Sequence, residues 1–62
     1  MLISQTYYDA EYTEKIMKAL LMRGYKPTSE PYFSTFHGDK ITVEAKGKKQ
    51  IDEVCQIFGV SN

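Results

Sequence analysis

Apolar and polar positions change their spacing several times along the chain, and each change marks an element. Leu2 to Tyr8 mixes apolar, threonine and tyrosine residues with no charge, proline or glycine, and predicts a short strand. Asp9 then offers an N-cap, and Glu11 and Glu14 place negative charge where a helix dipole favours it. Tyr12, Ile16, Ala19 and Leu20 recur at helical spacing, with Met17 and Leu21 widening the stripe. Glu11 precedes Lys15, and Glu14 precedes Lys18, in the order that favours ion pairs one turn apart. Arg23, Gly24 and Pro27 close the pattern, so a helix is predicted over residues 10 to 23.

Lys26 to Pro31 reads as a polar turn bracketed by two prolines. Beyond it, Tyr32 to Phe36 and Lys40 to Ala45 are β-prone runs, and Gly38-Asp39 between them suits a two-residue hairpin loop. That loop sets Phe36 opposite Ile41, Ser34 opposite Val43 and Phe33 opposite Glu44. Ile41, Val43 and Ala45 then face inward with Tyr32, Ser34 and Phe36. The outer face carries Phe33, Thr35, His37, Lys40, Thr42 and Glu44. Ile51, Val54, Cys55 and Phe58 define a second helix, from Lys48 to Phe58, which Gly59 ends.

The order is β-α-β-β-α. It predicts an α+β, two-layer sandwich in which two helices cover one face of a three-stranded antiparallel sheet. A right-handed crossover gives strand order 1-3-2 and leaves the first strand at an edge. This is the ferredoxin-like topology without its last strand. An unpaired edge is a pairing site for another chain.

Composition narrows the picture further. Sixty-two residues, 42% apolar and with five Tyr and three Phe, are expected to fold as a single small domain over residues 1–62. A chain of this size buries only about 60% of the surface that its unfolded form exposes, so extra support from a partner is valuable. Cys55 and His37 are the only residues of their types, which excludes an internal disulfide and argues against a zinc site; no metal or cofactor is expected. The longest apolar run is Ala19 to Met22, far too short to span a membrane, and residues 1 to 8 do not resemble a leader. With a single thiol, the expected location is the cytoplasm.

Catalytic chemistry finds little footing. His37 lies near Asp39 and Glu44 in the expected hairpin, but no nucleophile stands beside it, since Ser34 and Cys55 are placed facing inward. No enzymatic activity and no catalytic residue are expected. Lys46, Lys48 and Lys49 surround Gly47 ahead of a helix, where free amides favour anions. Asp52 and Glu53, one turn on, partly compensate them. The net charge is zero, yet residues 15 to 26 carry four positive charges and no acid, and residues 40 to 49 carry four positives and one acid. Lys40, Lys46, Lys48, Lys49 and Phe33 therefore make weak RNA or DNA binding the alternative function.

A helix ending in Gly24-Tyr25, a hairpin, the Ile41-Thr42-Val43 strand, lysines, and a closing helix ending in Gly59-Val60 together resemble the small HicA-type RNA-cleaving toxins over residues 16 to 60. That resemblance implies a double-stranded-RNA-binding-like fold. Their Gly-Ser-His motif is absent, with Glu30-Pro31-Tyr32 in that region, and His37 is not at the matching place. No catalytic residue carries over.

Tyrosines at 7, 8, 12, 25 and 32 are more than so small a core can hold, and tyrosine is enriched at protein interfaces. Together with the edge strand and the neutral charge, they lead to the expected function. The chain reads as a non-enzymatic, regulatory protein-binding module, an inhibitor or adaptor of the kind found among viral and bacterial accessory proteins. It would bind a protein partner, or a second copy as a homodimer, through its first strand. The expected binding residues are Tyr7, Tyr8, Phe33, Thr35, His37, Lys40, Lys46, Lys48 and Lys49.

Overall fold

A computed structural model describes residues 1–33 and 37–59, and for Pro31, Tyr32, Phe33 and His37 it describes the backbone alone. Strand β1 (Leu2–Tyr7) leads to helix α1 (Ala10–Met22), followed by β2 (Thr28–Phe33), β3 (His37–Glu44) and helix α2 (Gly47–Phe58). The three strands form one antiparallel sheet in the order β1-β3-β2.

Local chemistry explains the helix ends. The Asp9 carboxylate accepts from the amides of Glu11 (2.9 Å) and Tyr12 (3.4 Å), relieving two of the donors that a helix start leaves without partners. At the other end of α1, Gly24 adopts φ +88°, so its amide donates to Leu21 O (3.0 Å) and that of Tyr25 to Leu20 O (3.1 Å). This is a Schellman closure, and its left-handed residue is cheapest as glycine. Helix α2 begins with no side-chain cap. Instead Gln50 Oε1 accepts from the Lys46 amide at 2.7 Å.

The core lies between the helices and one face of the sheet. Ile3, Ile41, Val43 and Ala45 meet Ile16, Leu20, Val54 and Phe58 there. Leu20, Ile41 and Val54 have no exposed surface, and burying a side chain of that size stabilises the fold by roughly 1.5–3 kcal/mol. The α1 stripe is rotated from its expected position. Tyr12 and Leu21 are exposed, whereas Thr13 is buried and its hydroxyl donates to Asp9 O at 3.0 Å. A short side chain there lets Ile16 and Leu20 approach the sheet.

The β2–β3 pairing departs from expectation. Residues 28–31 are strand, not turn, and Gly38-Asp39 lies within β3, not in a hairpin loop. Ile41 pairs with Ser29 instead of Phe36, and Lys40 pairs with Glu30. This slip of seven residues is odd, so it also exchanges the faces of β2: Ser29 takes the Ile41 side and Glu30 the Lys40 side, and Phe33 pairs with His37 instead of Glu44. Expectations for Ser34, Thr35 and Phe36 fall outside the described residues. Gly38 explains part of the register. A Cβ there would lie 2.8 Å from both Tyr7 O and the Tyr8 ring, so β3 passes beside the end of β1 without displacing its neighbours only with glycine at this position.

Candidate functional site: the free edge of the sheet

Ala45 N–H donates to Met1 O, and the Met1 ammonium donates to Ala45 O, each at 2.9 Å. A pair that exchanges both bonds sets the alternation for the whole antiparallel ladder. Ile3 with Val43, Gln5 with Ile41 and Tyr7 with Asp39 are then the bonded pairs. The N–H and C=O groups of Leu2, Ser4 and Thr6 point away from the sheet. Among these residues there is no proline, glycine or charge, the devices that ordinarily guard an edge.

The same alternation, carried across β3, turns outward the backbone groups of Ser29, Pro31 and Phe33 at the opposite edge. Proline lacks an N–H, so at an outward position it costs no ladder bond and removes one exposed donor. That is why a strand can run through Pro31.

The end of β1 is anchored by aromatic contacts. Tyr7 donates its hydroxyl to Phe58 O at 3.0 Å and meets the Tyr12 ring edge-on at 5.1 Å. Burial, aided by Tyr12, pushes the Tyr7 phenol up to about 12. Tyr7 thus serves the fold, whereas its neighbour Tyr8 is 60% exposed. Tyr25 has a comparable structural role: its hydroxyl donates to Glu53 Oε1 at 2.6 Å, and burial together with that carboxylate raises its pKa to about 12. Glu53 also lies 3.8 Å from Arg23 Nε, so it is drawn toward α1 and not along its own helix to Lys49 as expected. Of the two expected pairs on α1, Glu14–Lys18 forms at 3.2 Å; both partners are mostly exposed, and such pairs contribute little.

The outer sheet face is rich in hydroxyls, with Ser4 Oγ and Thr42 Oγ1 2.9 Å apart. Lys40 stands on that face opposite Thr6 and Glu30. Lys46, Lys48 and Lys49 surround the start of α2, beyond the C-terminal end of β3. The stretch from Lys40 to Glu44 alone covers about 13 Å at roughly 3.3 Å per residue, so the lysines do not form one basic patch. Thr35 and the side chains of Phe33 and His37 lie outside the described residues. Among those described, no cluster of His, Cys, Asp and Glu has the make-up of a metal site, and no helix is long and apolar enough to cross a membrane.

The chain matches no family model, no curated protein and no solved structure. Its candidate site therefore rests on its own geometry. Sequence reading picked out the first strand and its tyrosines. It did not identify Leu2, Ser4 and Thr6 as the residues whose backbone faces outward, because strand periodicity alone does not say which parity pairs with β3.

Proposed function

We propose that this chain is a non-enzymatic protein-binding module that engages its partner by adding a strand along β1. The observation that carries the reading is the row of outward N–H and C=O groups at Leu2, Ser4 and Thr6, on an edge with no protecting residue. Strand addition satisfies these groups and adds burial to a small core. Bound in this way to a larger assembly, the chain acts as an inhibitor or adaptor. Nucleic-acid binding is the lesser reading, since Lys40 stands apart from Lys46, Lys48 and Lys49.

The experiment compares the unmodified chain with Ser4→Pro, which removes an outward donor, in co-purification from nuclease-treated cells, followed by amide exchange on the recovered complex. The partner should be lost with Ser4→Pro, and the Leu2, Ser4 and Thr6 amides should be protected in the complex. A partner that survives Ser4→Pro and leaves those amides exchanging freely contradicts the reading.

A further inference from the structure

We infer that the β1 edge is a slot for one extended segment, roofed by α2, and that it does not accept the first strand of a second copy. This rests on the reading of β1 as the binding edge and adds the occupant's chemistry.

Helix α1 packs on both β3 and β1, whereas α2 packs on α1 and, within the sheet, chiefly on β1. Packed helix axes stand about 8–10 Å apart, while neighbouring strands stand only about 4.8 Å apart. A helix beside α1 is therefore carried outward past β1. The side chains of α2 agree with this. Glu53 bonds to Tyr25 and lies against Arg23, and Ile57 shares a cleft with Ala19, so both face α1. Ile51 and Cys55 lie about 120–160° around the helix from them, on the flank above the space beside β1. Both are only half-buried. The helix runs alongside the strand, since Ala45, just before α2, bonds to Met1, and Tyr7 bonds to Phe58 near its end. Ser4, the middle of the edge, is thus level with the stretch between Ile51 and Cys55.

Two copies joined through β1 must run antiparallel about a two-fold axis, and both would carry α2 toward that axis. With the strands about 4.8 Å apart, the two helices would fall closer than the roughly 8–10 Å they need. A lone strand brings no helix. Its alternate side chains face Ile51 and Cys55 and should be apolar; the others lie beside Ser4 and Thr6 and should be polar. Leu2–Tyr7 carries no charge, while the first turn of α2 holds no acid and places Lys48, three residues before Ile51, on the slot's flank; Lys49 is turned to the cleft it shares with Arg23, Tyr25 and Glu53. Because α2 starts at the Met1 end, an antiparallel segment reaches Lys48 with its C-terminal residues. The occupant is an alternating apolar and polar strand with acidic residues at that end.

The test uses the full chain, nitrogen-labelled, with an acetylated peptide of alternating valine and threonine ending in two glutamates. The same peptide ending in two lysines is the control. The glutamate form should slow amide exchange at Leu2, Ser4 and Thr6 by about tenfold or more, with the lysine form at least several-fold weaker. Ile51→Asp should weaken binding about tenfold. If Ile51→Asp does not fold, Ile51→Ala should still weaken it measurably. Equal binding by folded Ile51 variants, or by both peptides, overturns the inference. Protection that appears with rising protein concentration, together with a dimer mass and without peptide, overturns it in favour of a second copy while leaving the edge reading intact. Protection under neither condition overturns both.

Discussion

At one margin of the sheet β2 turns outward the backbone of Ser29, Pro31 and Phe33, and at the other β1 turns outward that of Leu2, Ser4 and Thr6. The β2 margin has lost a donor to Pro31 and carries exposed Glu30. Among the described residues it packs chiefly on β3, with no substantial helix cover. The β1 margin keeps every donor, has no charge and lies beneath the outer flank of α2. Both are edges, but only one is guarded. An edge left open beside a roof of half-buried apolar side chains has the features of a binding slot, and a proline-guarded edge has those of a terminus.

The sharpest way to break this comparison is proline scanning within β1. Gln5 donates inward to β3, so Gln5→Pro should cost on the order of 3 kcal/mol and largely unfold the chain, whereas Ser4→Pro should stay folded. Urea denaturation of both variants checks this; equal losses would contradict the alternation, and a larger loss for Ser4→Pro would mean that the inward and outward positions are exchanged.

Gly38 tests the seam where β3 passes the end of β1. Gly38→Ala should destabilise by about 1–3 kcal/mol, because the new methyl meets a carbonyl oxygen that cannot move without disturbing the ladder. Truncating Tyr8 in the same chain should recover only part of the loss. Full recovery, read from denaturation midpoints, would show that the ring alone makes the contact.

The tie from Tyr7 to α2 has a smaller effect and a pH signature. Tyr7→Phe should cost about 1 kcal/mol through loss of its bond to Phe58 O. The folded phenols of Tyr7 and Tyr25 are raised from 10.0 to about 12. Folding therefore favours their protonated forms, and the stability this gives is complete below pH 10 and lost as pH rises through about 12. Replacing both with phenylalanine should flatten that alkaline decline in pH-dependent unfolding.

The smallest stability change is expected at the guarded edge. Pro31→Val should alter stability by less than about 1 kcal/mol while restoring an outward donor. Self-association by light scattering should rise relative to the parent chain. No change would show that Pro31 is not what protects β2.

Much of this architecture was legible in the residues themselves. Asp9 and Gly24 marked the ends of α1, the alternation of Ile41, Val43 and Ala45 showed the inner face of β3, and Ile51 to Phe58 showed α2. The β2–β3 register was misread because its local signals pointed elsewhere. Pro27 and Pro31 looked like turn brackets, and Gly38-Asp39 looked like a hairpin loop. Both signals have another physical use: proline is harmless where no ladder bond is needed, and glycine is required where a neighbouring main chain comes close.

Sequence alone determined the element types, their order and the placement of β1 at an edge, because periodicity, capping and crossover handedness are local or topological properties. Only the tertiary structure decided the register of β2, which parity of β1 faces outward, and that α2 packs on β1 beside α1. Those depend on distances between elements, and the mismatch between helix spacing and strand spacing leaves no trace in the pattern of any single segment.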